Sequence, residues 1–368
     1  MQDKRIERLA QVAVEYSTRI KKGDLVIIRG DVIAKPLLFA LYEQVVRKGA
    51  HPVLRPTLDG LSTLFYTHAS AEQLQYVTPF EELTHDQADV SIAVWGGGNT
   101  KNLVNIDKSK HALHMAARKH LQKRFHIAPE QGGIRWVVVP YPSPFLAQAA
   151  NMPDQEYEEF VFNACMVGAE DPIAEWYALK ERQQKIVDYL NTHRTFHITG
   201  EHVDLRFDTQ GTQWVNCDGT VNLPDGEVYT CPSKQSLSGN IRFSYPGFYA
   251  GKEVEGVEIT FKDGCVAQAS AKTNQDFLHE MIAMDEGSRR VGEIAFGTNN
   301  YVKTYTRNVL FDEKIGGTMH LALGNSATGT RGEIVSAIHW DIVTEMKMNS
   351  QMYADDELVY QNGRFLVE

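Results

Sequence analysis

The chain has 368 residues, of which 43% are hydrophobic and 23% charged, a balance typical of globular proteins and enough for two domains of ordinary size. Lys and Arg number 37 against 47 Asp and Glu, a net charge of −10, which speaks against a phosphate-neutralising nucleic-acid surface and against docking on anionic lipid. Small molecules, peptides and metal cations remain as partners.

The first half alternates helical and strand patterns. Apolar residues at Ile6, Leu9, Ala10, Val12, Ala13 and Tyr16 predict an amphipathic helix over 3–21, with no apolar stretch of a secretory signal. Gly23-Asp24 then turns into LVIIRG, a short apolar run read as a buried parallel strand. A helix is expected over 35–48, a strand at HPVLRP, a further helix-strand unit from about 70 to VSIAVW, a helix near 108–123 and a strand at RWVVVP. This repetition predicts an α/β domain with a mostly parallel sheet. Gly96 to Asn99 (GGGN) follows the third strand; without GxGxxG or a P-loop lysine it reads as a tight turn rather than a phosphate cradle. Residues 154–192 are helical, interrupted at Asp171-Pro172, and the domain boundary is placed at 192.

From 195 the texture changes to short alternating segments between Asp/Asn-Gly turns, with FKDGCV as the strongest hairpin signal and a helix near 274–284. The expectation is therefore an α/β domain over 1–192 followed by a β-rich α+β domain over 193–368. Cys165, Cys217, Cys231 and Cys265 lack CxxC spacing, so a disulfide framework and a thiolate zinc site are not expected, and reduced cytoplasmic thiols are. No run of about 18 apolar residues suggests a membrane span.

The second half also concentrates ligand chemistry. His339 and Asp341 in AIHWDIV stand at i, i+2, which on a strand points both into one space and Trp340 to the other side. His320 sits in the apolar GGTMHLALG, Glu293 in RRVGEIAFG, and Glu227 at the exit of the turn in NLPDGEVYTCP. Three carboxylates and two imidazoles in apolar stretches suit a pair of divalent cations such as zinc, cobalt or manganese, and two cations at about 3.5–4 Å are an arrangement for hydrolysing a peptide bond.

Over nearly its whole length the chain resembles the aminopeptidase T / aminopeptidase S family of metallopeptidases. The resemblance rests on PYPSPFLAQAANMPDQEYEEFVFNAC and DPIAEWYALKERQQKIVDYLN in the first half. In the second it rests on VDLRF, NLPDGEVYTCP, YPGFYAGKEVEGVEITFKDG, MDEGSRRVGEIAFGTN, NVLFDEKIGGTMHLALG and SAIHWDIV. It implies a two-domain, cytoplasmic homodimer that releases the N-terminal residue of peptides through a dinuclear centre. The metals would be zinc, cobalt, or manganese or magnesium. The ligands implied are Glu227, Glu293, His320, His339 and Asp341, with Glu293 or Glu227 moving the proton.

One departure stands out. The family carries a tyrosine seven residues after the HLALG histidine, held to stabilise the tetrahedral intermediate; here that position is Ala327, and Ile334 lies where the family has an asparagine in a turn. Ser326, Thr328 or Arg331 would have to replace the phenol. Two alternatives follow. One is an iron-dependent dihydroxypyridine dioxygenase-like enzyme on His320, His339 and Asp341. The other is a weakened homologue that binds peptides without turnover.

Overall fold

A computed structural model describes residues 3–98, 102–103, 105–127 and 131–367. The chain divides into two units, Met1–Glu175 with Gly219–Pro224, and Trp176–Asp218 with Asp225–Glu368.

The first unit is built on a four-stranded parallel sheet. Its spatial order is His51–Thr57, Leu25–Asp31, Val90–Trp95, Arg135–Pro140, so the first strand in sequence lies inside the sheet. Strands 25–31, 90–95 and 135–140 bury Val26, Ile28, Val90, Ile92, Val137 and Val139, as apolar runs of a covered parallel sheet should. The opening helix is α-helical over Lys4–Gln11, capped by Asp3, and continues as a π-helix over Val12–Ser17. It stops short of 21 because Arg19 takes the left-handed conformation, with φ 47°. The glycine run is a packing device: a Cβ on Gly96 would lie 2.6 Å from the Tyr141 Cβ, and one on Gly97 2.2 Å from the Asp31 Cβ. Asn99 lies outside the described residues.

The expected break in the 154–192 stretch falls where Pro172 opens a helix. Helices run over Asp154–Ala164 and Pro172–Leu190, and the Asp171 carboxylate accepts the Ala174 N–H at 3.0 Å. The first helix ends earlier than the proline, since Met166 has φ 59°.

The second unit holds three antiparallel sheets, of eight, five and two strands. A single apolar cluster draws on the first two: Phe196, Leu205, Ile241 and Ile259 from the eight-stranded, Ile294, Phe296, Leu321 and Trp340 from the five-stranded. Trp214 bridges them, its ring 5.3 Å from Phe196 and 6.3 Å from Phe296. Each such side chain, fully buried, contributes about 1.5–3 kcal/mol. Ile186, Val187 and Leu190 of the long helix join the same cluster. The hairpin expected at FKDGCV joins Glu258–Lys262 to Cys265–Ser270, with Asp263 and Gly264 at φ 52° and 74°, as a two-residue turn requires. The helix expected near 274–284 runs over Gln275–Ile282. All four cysteines are free thiols. No helix among the described residues is long and apolar enough to cross a membrane.

Candidate metal centre

The five-stranded sheet of the second unit positions the candidate site. Its strands lie in the order His339–Glu345, Thr318–Gly324, Val291–Gly297, Glu227–Thr230, Val215–Cys217. Side chains alternate between faces along a strand, and cross-strand partners share a face. The register pairs Glu293 with Ala322, Ala322 with Asp341, His320 with Ala295, His339 with Gly324 and Glu227 with Gly297. All five sequence-predicted ligands therefore stand on one face, contributed by four strands. Between them the same face carries Ala295, Gly297, Ala322 and Gly324, whose small size leaves space above the sheet. The opposite face carries Val228, Ile294, Phe296, Leu321, Leu323 and Trp340, all buried in the core. Trp340 thus anchors the strand from beneath while His339 and Asp341 flank it above.

The five side chains converge. His320 Nε2 lies 3.3 Å from Glu227 Oε2 and 3.7 Å from Glu293 Oε1; His339 Nε2 lies 3.2 Å from Glu293 Oε2 and 3.6 Å from Asp341 Oδ2. Glu293 is the hinge of the cluster, one carboxylate oxygen toward each imidazole. Two compact groups of donor atoms contain these imidazoles, Glu293, His339 and Asp341, and Glu227, Glu313 and His320, each within 4.8 Å; Glu227 also forms a third with Cys217 and Asp225. His339 donates its Nδ1–H to the Asn325 carbonyl at 2.8 Å, which orients the ring and points Nε2 at the carboxylates. The His339 side chain is 36% exposed while those of Glu293 and Asp341 are 8% exposed, so it marks the open side.

The electrostatics follow from packing three carboxylates and two imidazoles out of water. Burial pushes the Glu293 carboxyl up, but the His320 and His339 rings outweigh it and bring it down to about 2. Burial would likewise lower His339, yet Asp341 and Glu293 raise it to about 11. Burial raises Asp341 well above the ordinary carboxylate range, with Glu313 adding to the effect. Burial also raises Glu227, against the pull of Lys314 and His320.

Four atoms test whether a cation fits. Glu227 Oε2, Asp341 Oδ1 and both ring nitrogens of His320 are buried without a hydrogen-bond partner. Orphaned polar atoms of this kind are rare in native interiors and cost about 1–3 kcal/mol each. Oxygen and imidazole-nitrogen donors converging on one space are the donor set of zinc, cobalt or manganese, so the residues fit a divalent ion.

Two members of the cluster escaped sequence reasoning. Glu313 and Lys314 follow the short helix Val309–Asp312, in LFDEKIGG, where they look like a solvated charge pair. Lys314 is instead fully buried, its Nζ 2.7 Å from Glu227 Oε1, 2.7 Å from Glu313 Oε2 and 4.0 Å from Asp225 Oδ1. The only available signal was position, directly before Gly316-Gly317 and the His320 strand.

At the departure, the Ala327 N–H donates to the Gly292 carbonyl at 3.1 Å. Of its expected replacements, Ser326 Oγ accepts the Ile334 N–H at 2.9 Å, and Arg331 is exposed. A phenol does reach this loop from the next strand: Tyr229 stands two residues after Glu227, on the same face, and donates to the Thr328 carbonyl at 2.8 Å.

The geometry is that of a metal-dependent hydrolase grafted onto an antiparallel sheet. A family model described as thermophilic metalloprotease (M29) matches residues 2–365, and the chain belongs to that family. Membership makes the protein a metallopeptidase and implies divalent metal ions. Aminopeptidase T of Thermus thermophilus is 27% identical over 413 residues, covering 98% of both chains. The structure of wild-type AmpT from Thermus thermophilus matches all of both chains with a TM-score of 0.83 at 24% identity, which establishes the shared fold of an α/β unit followed by a β-rich one. The 2,5-dihydroxypyridine dioxygenase of Pseudomonas putida KT2440 has the fold too, with a TM-score of 0.63 at 13% identity over 100% of this chain and 98% of its own.

Proposed function

We propose that this metallopeptidase is an aminopeptidase that releases the N-terminal residue of peptides, with Glu227, Glu293, His320, His339 and Asp341 holding a pair of divalent cations. The observation that carries the reading is the convergence of these five side chains on one sheet face with four buried, unpartnered donor atoms among them.

When bound, the cations supply a Lewis acid for the scissile carbonyl and an acidified water. The protein's own groups do the rest. The excess of carboxylates around His339, on the open side, attracts the free α-ammonium of a peptide and so favours chain ends over internal bonds. Asn325 holds the His339 ring at Nδ1, and Glu293 spans the two imidazoles, which fixes their separation. The proton of the attacking water passes to a carboxylate. Glu293 and Glu227 are the residues expected for this from sequence; each has both oxygens within 3.7 Å of a nitrogen of His320, His339 or Lys314, although Glu227 Oε2 makes no hydrogen bond. Glu313, whose side chain is 14% exposed and which meets Lys314 through Oε2, is a third carboxylate for this role. Tyr229 provides the phenol that Ala327 lacks. From the family resemblance we carry forward a cytoplasmic homodimer acting on peptides, with zinc, cobalt, or manganese or magnesium as the metal.

The dioxygenase alternative uses only His320, His339 and Asp341. Glu293 lying between both imidazoles speaks against so small a ligand set. The test is release of a chromogenic amine from a panel of amino-acyl substrates after chelator treatment and separate reloading with zinc, cobalt, manganese and iron(II). N-acetylated substrates serve as controls. Hydrolysis confined to free N-termini is expected. Silence with every metal, or oxygen uptake with a dihydroxypyridine under iron(II), would sink the reading.

A further inference from the structure

The two halves of the centre are not equivalent, because one of them already contains a cation. Lys314 Nζ is fully buried and faces carboxylates: Glu227 and Glu313 at 2.7 Å and Asp225 at 4.0 Å. An ammonium has three donors and no acceptor, so it occupies an anionic pocket as a compact positive charge. Its backbone is fastened on both sides, the Lys314 N–H donating to the Phe311 carbonyl at 3.0 Å and its carbonyl accepting the Asn299 N–H at 3.1 Å. Glu227 Oε1 is thereby claimed, leaving Oε2 beside His320. Among the described residues the group of Glu293, His339 and Asp341 has no lysine or arginine paired to it: its ion-pair partners are the two imidazoles themselves.

We propose that Lys314 is a resident cation in the second half of the centre. Each chain then takes one divalent ion tightly at Glu293, His339 and Asp341. It admits a second at Glu227, Glu313 and His320 only beside an ammonium that already holds Glu227 Oε1 and Glu313 Oε2. This rests on the reading of the five residues as a metal centre and refines it. Repulsion between the resident ammonium and an incoming dication that share Glu227 and Glu313 makes binding of the second ion at least about 100-fold weaker than the first.

The experiment is titration of the chelator-stripped full chain with Mn²⁺ alone, followed by calorimetry for stoichiometry and by electron paramagnetic resonance for coupling between ions. The wild-type chain is expected to bind one equivalent tightly and to give an isolated six-line spectrum. Lys314→Met is expected to bind two equivalents with affinities within about tenfold of each other and to lose the six-line signal through exchange coupling. Should Lys314→Met fail to fold with three uncompensated carboxylates, Lys314→Gln replaces it, and the wild-type spectrum stands alone as a test. Two tight equivalents in the wild-type chain would overturn the proposal. So would a single equivalent in folded Lys314 variants. No Mn²⁺ binding at all in the wild-type chain would remove the metal-centre reading itself, a different failure.

Discussion

Returning a divalent ion to the stripped protein should raise its unfolding temperature by an amount that can be worked out beforehand. An ion that binds only the folded state, at one hundred times its dissociation constant, stabilises that state by about 2.7 kcal/mol. The cluster sits in the unit formed by Trp176–Asp218 and Asp225–Glu368, about 190 residues. At about 2.1 cal/mol/K per residue, its unfolding entropy is about 0.4 kcal/mol/K, so the midpoint should rise by about 7 °C. The assay is scanning calorimetry of the chelated protein with stepwise zinc, cobalt or manganese, beside Glu293→Ala and Asp341→Asn. Glu293→Ala removes the carboxylate that spans His320 and His339, and it should abolish most of the shift. A wild-type midpoint that moves by less than about 1 °C at saturating ion, or a Glu293→Ala shift as large as the parent's, would refute the ligand assignment.

Three further outcomes follow. Tyr229→Phe removes the phenol assigned to the site and should lower kcat on amino-acyl substrates by about 10²–10³-fold with little change in KM, whereas Ala327→Tyr should leave kcat within about tenfold; an undiminished kcat in Tyr229→Phe contradicts the assignment. Burial would lower His339, but Asp341 and Glu293 raise it to about 11, so the ion-free ring is protonated through neutral pH and ligation must expel that proton. Ion affinity should therefore rise with pH by up to about tenfold per unit between about pH 6 and 9, with proton release measurable by calorimetry in two buffers, and a flat profile contradicts this. Trp340→Ala, beneath the site and packed 5.7 Å from Tyr249 and 6.0 Å from Phe277, should cost about 3–5 kcal/mol in urea unfolding, and a loss below about 1 kcal/mol would show that the strand is anchored otherwise.

Much of this was legible in the residues because the relevant signals are local. Four apolar runs punctuated by helices yield the parallel sheet, and the Asp263-Gly264 pair yields its hairpin, since both depend on neighbours in sequence. His339 and Asp341 were placed on one face by period-two alternation alone. The convergence of Glu227, Glu293 and His320 with them is set by strand register across long separations; without the family resemblance those three would have remained separate polar residues in apolar stretches. Lys314 was invisible for the same reason. Its stem looks like any surface lysine until the fold brings Glu227 to it from 87 residues away. The early end of the first helix, at Ser17, turns on a single left-handed residue, which apolar periodicity does not report.

The polypeptide passes between its two units three times, after Glu175, after Asp218 and after Pro224. A protease nick in any one of these connections leaves two polypeptides joined only by non-covalent packing inside a unit that both contribute to, so limited digestion should give cut chains that still migrate together until denatured. Dissection by recombinant truncation meets the same obstacle. A fragment begun after the long helix would lose Ile186, Val187 and Leu190 from its apolar centre, and the Gln183 amide that donates to the carbonyls of Cys217 and Glu227. A portable fragment carrying the candidate centre must therefore begin ahead of the long helix's second half, no later than Trp176, and it takes Gly219–Pro224 of the other unit with it.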